Sequence, residues 1–169
     1  MGAGIDVAIQ LDDAELNAAL DRAIKEGADL RHPMGEIAAE WMDHVRDRFA
    51  QERDPFGVPW KKRRDNVDPG RPLLQLDRHL LNAIVPDFGS DFAQVGVTGT
   101  AGPARYARIH NDGGTIKPRS KKALSFGGRI VAQVVMPKRQ YIGFGPDEQR
   151  TVVEIMGDFV RTLFGKGGA

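Results

Sequence analysis

The sequence predicts an α+β domain: a small, mainly antiparallel sheet with helices packed on one face, long helices before it and one helix after it. Three observations lead there. Apolar residues recur at helical spacing toward both ends of the chain. Short β-prone runs, punctuated by Gly and Pro, lie between them. No repeat or shift of composition divides the 169 residues, a length that suits one domain with its own core. The whole chain, 1–169, is therefore read as a single unit.

Taken in order, residues 5–11 alternate Ile5, Val7, Ile9 and Leu11 with other residues, the pattern of a short strand with one apolar face. Asp12 with Glu15 three positions on is a capping-box-like helix start. Leu16, Ala19, Leu20, Ala23 and Ile24 then recur at helical spacing up to Gly27. Pro33 suits the first turn of a second helix. Its apolar stripe is Ile37, Trp41, Met42, Val45 and Phe49, and its other face carries Glu40, Asp43, Arg46, Asp47 and Glu52. From 53 to 72 six Pro and Gly residues exclude a regular helix. The resulting loop of about twenty residues exceeds the length at which loops are usually functional.

A short third helix is expected over 73–84, with Leu76, Leu80 and Leu81 turned inward. A strand follows at 92–98 and a turn at 99–103. Residues 104–110 are a short helical or irregular segment that ends at Asn111-Asp112-Gly113-Gly114. An extended, basic arm over 114–128 includes the first strand and turn of a hairpin whose strands, 123–126 and 129–136, flank Gly127-Gly128. Residues 137–145 are expected to form a turn with a short extended piece. Pro146 then opens the last helix, 147–164, with Val152, Ile155, Met156, Phe159, Val160 and Leu163 on one stripe.

Composition narrows the function. A net charge of +1, from 24 basic and 23 acidic residues, argues against a general nucleic-acid binder. The absence of cysteine excludes disulfides and cysteine-ligated zinc or iron–sulfur centres. The N-terminus lacks a basic region followed by a long apolar run, so no signal peptide is expected. No run approaches the ~20 apolar residues of a membrane span, so no membrane partner is expected either. Synthesis in the cytoplasm, or residence in a particle assembled there, fits these features.

No catalytic constellation emerges. The histidines, His32, His44, His79 and His110, lack H-x₃-H or H-E-x-x-H spacing, and His44 and His79 read as surface groups. There is no G-x-S-x-G elbow, phosphate loop or dinucleotide fingerprint. The carboxylate pairs Asp12/Asp13 and Asp147/Glu148 fall at expected helix starts, where they favour the helix dipole and cap free amides. No catalytic, metal-binding or cofactor-binding residue is assigned, and no cofactor is expected. Two basic clusters remain: Lys61, Lys62, Arg63 and Arg64, then Lys117, Arg119, Lys121 and Lys122. They are solvated loop charges or contacts to an acidic partner, and are compatible with DNA passing nearby rather than with sequence readout.

Three segments carry a resemblance. Phe49-Ala50-Gln51-Glu52-Arg53-Asp54-Pro55-Phe56-Gly57-Val58-Pro59-Trp60 is similar to the F-x-x-x-x-D-P-x-G-x-P-W of phage virion-morphogenesis and tail-completion proteins. Tyr106-Ala107-Arg108-Ile109-His110-Asn111-Asp112-Gly113-Gly114 resembles their Y-A-x-x-H-x-x-G-G. Pro137-Lys138-Arg139-Gln140-Tyr141-Ile142-Gly143 resembles their P-x-R-x-[FY]-[LI]-G before a last helix. Residues 74–81 depart from that family's L-x-x-T-G-x-L, with Asp77 and Arg78 in place of Thr-Gly. The resemblance covers about residues 33–164, and the Mu-like virion morphogenesis family is the nearest named group.

The resemblance implies a non-enzymatic structural protein of the virion neck or tail end. Such a subunit forms a ring, often sixfold, that caps the tail tube and joins it to the head. Its implied partners are copies of itself, the tail tube protein and head–tail connector or neck proteins, with DNA only in passing through the lumen. A head-completion or adaptor position in the neck is the alternative, and a DNA-binding packaging accessory is a more distant one.

The motif residues also have direct physical readings. Pro55, Gly57 and Pro59, with Phe56 among the motif residues between them, can fix a rigid turn that places Trp60 either in the core or at an interface, its indole N–H needing a partner if buried. Tyr106 and His110, four apart, share a helix face. Gly113-Gly114 supplies positive φ or close backbone approach. Pro137 and Gly143 bracket the third motif, and Arg139 pairs with a carboxylate inside the fold or across a subunit boundary.

Overall fold

Helices α1 (Ala14–Lys25) and α2 (Arg31–Gln51) form where the apolar stripes place them. They belong to a computed structural model that describes residues 14–63, 70–98, 102–118, 122–126 and 128–165. The strand expected at 5–11, and Asp12 of the expected capping box, lie outside the described residues. On α2, Ile37, Trp41, Met42, Val45 and Phe49 are all buried. Each such side chain contributes about 1.5–3 kcal/mol on burial. The helix ends at Glu52, whose φ of 54° turns the chain away.

The expected helix over 73–84 shrinks to one turn, α3 (His79–Asn82). Leu74 and Arg78 both adopt left-handed backbone, with φ of 60° and 53°, which a helix cannot absorb. Long-range hydrogen bonds hold the segment open instead: Leu73 N–H donates to Glu52 Oε1 at 2.6 Å, and Gln75 Nε2 to the Phe49 carbonyl at 2.8 Å. Leu80 is buried, but Leu76, expected inward, is 64% exposed. The chain then enters β1 (Ile84–Phe88), which pairs antiparallel with β2 (Ala93–Val97) from Ile84↔Val97 to Phe88↔Ala93. This ladder lies against α2 and buries Ile84, Val95 and Val97.

Helix α4 (Ala104–Asp112) runs two residues beyond its expected end. Strand β3 (Gly114–Ile116) follows. The hairpin forms as β4 (Leu124–Phe126) with β5 (Arg129–Val131). The longer strand expected over 129–136 is broken, and its second half, β6 (Val134–Met136), pairs with β3. The architecture is α+β, with strands in three two-stranded antiparallel ladders. Helix α5 (Pro146–Phe164) closes the chain.

Two apolar clusters form the core. The larger joins Trp41, Val45 and Phe49 of α2 to Trp60, Leu73, Leu80, the β1–β2 ladder, Ala107, Tyr141 and Ile142. The smaller joins Leu16, Ile37, Val152 and Met156, where α1, α2 and α5 meet. Helix α5 starts beside the C-terminal end of α2 (Glu148 by Arg48) and reaches Ile37 with Val152 and Met156, so the two helices run antiparallel.

Candidate functional site

The three motifs converge on one stretch of irregular backbone, residues 139–145, which other parts of the chain grip from several sides. The first motif begins with a tight loop. Asp54 Oδ1 accepts from the N–H groups of Phe56 and Val58, both at 2.9 Å, while Asp54 N–H donates to the Val58 carbonyl at 2.9 Å. Gly57 adopts a φ of 78° at the turn. Pro55 is thereby turned inward, and Phe56 and Val58 point out, 64% and 58% exposed. The exposed Pro59 pairs with Arg53 in an isolated bridge and delivers Trp60 to the core. Trp60 is 4% exposed and stacks edge-on to Phe49 at 5.6 Å. Its indole N–H donates to the Gln140 carbonyl at 3.1 Å.

Two carbonyls of this stretch, those of Tyr141 and Gly143, are taken by α2. Trp41 Nε1 donates to the Gly143 carbonyl at 3.1 Å. Arg48 donates to the Tyr141 and Gly143 carbonyls, both at 3.2 Å, and also pairs with Glu148. The second motif takes the N–H side. Asn111 Oδ1 accepts from Tyr141 and Ile142 at 3.0 and 2.9 Å, the His110 carbonyl accepts from Arg139 N–H at 3.0 Å, and Tyr141 Oη donates to the Ala107 carbonyl at 2.8 Å. Burial, with Asp112 and Tyr106 nearby, raises the Tyr141 phenol above its ordinary value.

Glycines let the pieces touch. A Cβ on Gly145 would run into the Pro55 carbonyl, and one on Gly143 would meet Pro55 Cγ at 2.8 Å. Gly113, at φ 70°, would meet the Lys138 backbone nitrogen at 2.7 Å. Gly114, at φ 140°, starts β3 opposite Met136, and half-buried Pro137 follows that strand pair.

Glu148 anchors the arrangement electrostatically. It is 2% exposed; Oε2 accepts the Gly145 N–H at 2.8 Å, closing the N-terminus of α5, while Oε1 accepts from Arg48. His44 Nδ1 lies 3.1 Å from the same oxygen, within reach to donate a hydrogen bond to the carboxylate. Burial pulls the Arg48 guanidinium below its ordinary pKa, against the opposing pull of Glu148.

Tyr106 and His110 do share a face of α4, with rings edge-on at 5.7 Å. They line a cleft of about 350 Å³ together with Arg63, Arg78 and Arg139. Arg139 is 7% exposed, and its Nε donates at 2.9 Å to the carbonyl of Lys61, so among the described residues its recorded partner is backbone rather than a carboxylate. Burial, then the neighbouring Arg63, lowers its pKa, while Glu52 opposes. Burial and Arg139 also lower that of His110, whose Nδ1 has no hydrogen-bond partner among the described residues.

The basic residues divide. Lys61, Lys117 and Lys122 are exposed. Lys62 pairs with Glu52 at 2.6 Å. Arg63 donates to the carbonyls of Arg71 and Pro72 at 3.0 and 2.9 Å and so braces the loop. Arg64, Arg119 and Lys121 lie outside the described residues.

Sequence reasoning missed Arg48 and Asn111, read His44 as a surface group although it is part-buried beside Glu148, and gave Glu148 only its capping role. Arg48 sits on the buried stripe, four residues from His44 and one from Phe49, and that position was the available signal. Chemically the assembly is a scaffold. Most of its polar groups are spent on backbone or on the Arg48–Glu148–His44 contacts, and among the described residues no cluster of His, Asp and Glu could hold a metal ion. No helix among them is long and apolar enough to cross a membrane. No curated protein and no solved structure matches the chain. The model of the phage virion morphogenesis family matches residues 11–161, a span that contains every part of the clasp. The chain belongs to the phage virion morphogenesis family.

Proposed function

We propose that the chain is a ring-forming tail-terminator or tail-completion subunit, which caps the tail tube and joins it to the head. Family membership gives it a structural role in virion assembly, and the finer position is our reading. The observation that carries it is the clasp itself. Residues from all three motifs hold 139–145 in place, Trp60 from the first and Asn111 and the His110 carbonyl from the second, so they build a rigid body that carries the exposed parts of the same motifs on its surface. That surface includes the exposed tip at Phe56 and Val58 and the exposed lysines Lys61, Lys117 and Lys122.

In this reading subunits pack side by side through heterologous contacts that close into a ring. Copies of the chain, the tail tube protein and neck proteins are its partners, and DNA passes through the lumen. Basic loops steer docking onto acidic partner surfaces, an effect that weakens with salt. Adding purified tail tubes to the protein tests the joining step. Co-sedimentation that falls in the Lys61→Ala/Lys62→Ala/Lys117→Ala variant is expected, and unaltered co-sedimentation contradicts the role given to these lysines.

A further inference from the structure

An apolar groove of about 720 Å³ lies between α1, the N-terminal part of α2, the β1–β2 turn and α5. Leu20, Ile24, Met34, Phe92, Val152 and Met156 are among its walls, and two carboxylates, Asp21 and Asp91, stand at it, both exposed. Ile24 and Phe92 are 53% and 42% exposed, so the groove opens to solvent through apolar side chains.

The tip at residues 54–58 is its complement. Phe56 and Val58 protrude from a loop that Asp54 holds shut, so little conformational freedom is lost when they are buried. The flanking residues Arg53 and Lys61 are exposed and basic, opposite in sign to the groove's Asp21 and Asp91, while Lys62 is paired with Glu52.

Tip and groove sit at opposite ends of α2. From Ile37 in the groove to Gln51 before the tip the helix spans about 20 Å. A subunit therefore cannot fill its own groove with its own tip.

We propose that the Phe56–Val58 tip of one subunit seats in the α1–α2–α5 groove of the next copy. Apolar burial supplies the contact, and the basic flank facing Asp21 and Asp91 sets its direction. The two surfaces differ, so the contact is head-to-tail and repeats around a ring. This inference rests on the ring reading above and names its interface.

The chain has no cysteine, so a Val58→Cys/Ile24→Cys variant tests the contact directly. Both sites are exposed, and circular dichroism checks that the variant folds as the parent does. Under mild oxidation the double variant is expected to give a ladder of covalent multimers, while each single variant stops at dimers. Phe56→Glu is expected to lower self-association at least tenfold. If the parent assembles by mass but the double variant gives no ladder, the interface is wrong and the ring reading survives. If Ile9→Cys/Ile24→Cys closes a bond within one chain in the assembled protein, the groove belongs to the chain's own N-terminal segment and the proposal falls. If the parent assembles neither alone nor on tail tubes, the ring reading fails and this interface with it.

Discussion

Asn111 holds two backbone N–H groups, of Tyr141 and Ile142, on a single buried oxygen. Asn111→Leu strands both, at roughly 1–3 kcal/mol each. A loss of about 2–5 kcal/mol in a denaturant titration is expected, and a loss under 1 kcal/mol would contradict the clasp. The Arg48–Glu148 pair behaves differently, because removing one partner leaves a charge buried alone. Glu148→Leu should cost about 3–5 kcal/mol, and Arg48→Met/Glu148→Leu less than the sum of the single changes. His110 gives a pH signature. Burial and Arg139 hold its folded pKa below the ordinary 6.5, so the unfolded chain takes up the proton first. Its stabilising effect is fully present above that value and is lost as pH falls below it. His110→Gln should flatten the stability profile in that window, and an unchanged slope would remove His110 as its cause. At this scale the sequence was half legible. Trp60 needed a partner for its N–H if buried, and it has the Gln140 carbonyl. The roles of Arg48 and Asn111 depend on partners 93 and 30 residues away, and no local pattern announces such pairings.

The elements that spacing reveals are those whose own side chains decide them. Helices α2 and α5 follow their apolar stripes because burial of that stripe is their main support. Residues 73–84 carry leucines at plausible helical spacing, yet hydrogen bonds from Leu73 and Gln75 to the end of α2 hold them largely open. Likewise, β6 separates from β5 because its partner is β3, some twenty residues earlier. Pairing choices of that kind are set by topology and not by composition. The loop at 53–60 is irregular by spacing but rigid by hydrogen bonding, and its Gly57 together with Gly145 at the start of α5 makes a graded test. Gly57→Ala meets open space and suffers only its positive φ, costing about 1–2 kcal/mol. Gly145→Ala meets the Pro55 carbonyl and must separate the loop from the start of α5. Its thermal midpoint should fall further than that of Gly57→Ala, and the reverse order would mean the two segments are not pressed together.

For the whole molecule, the basic run at 61–64 is not one surface. Lys61 and Lys62 are exposed, but Arg63 supports the backbone at Arg71 and Pro72. Lys61→Ala/Lys62→Ala should leave stability within about 1 kcal/mol of the parent, since exposed pairs contribute little. Arg63→Ala should lower it. The fold class and the family were legible because both are carried by many residues at once, the three motifs in order and the helical stripes. What those motifs do was not legible, since their meeting at residues 139–145 exists only in three dimensions. The central claim, that this rigid body is a ring subunit, is tested most directly by the mass of the purified full chain across concentration. Light scattering followed by negative-stain imaging would read it, without and with purified tail tubes. Closed rings of about six subunits are the expected result. A monomer at every concentration that also fails to assemble on tail tubes would contradict it.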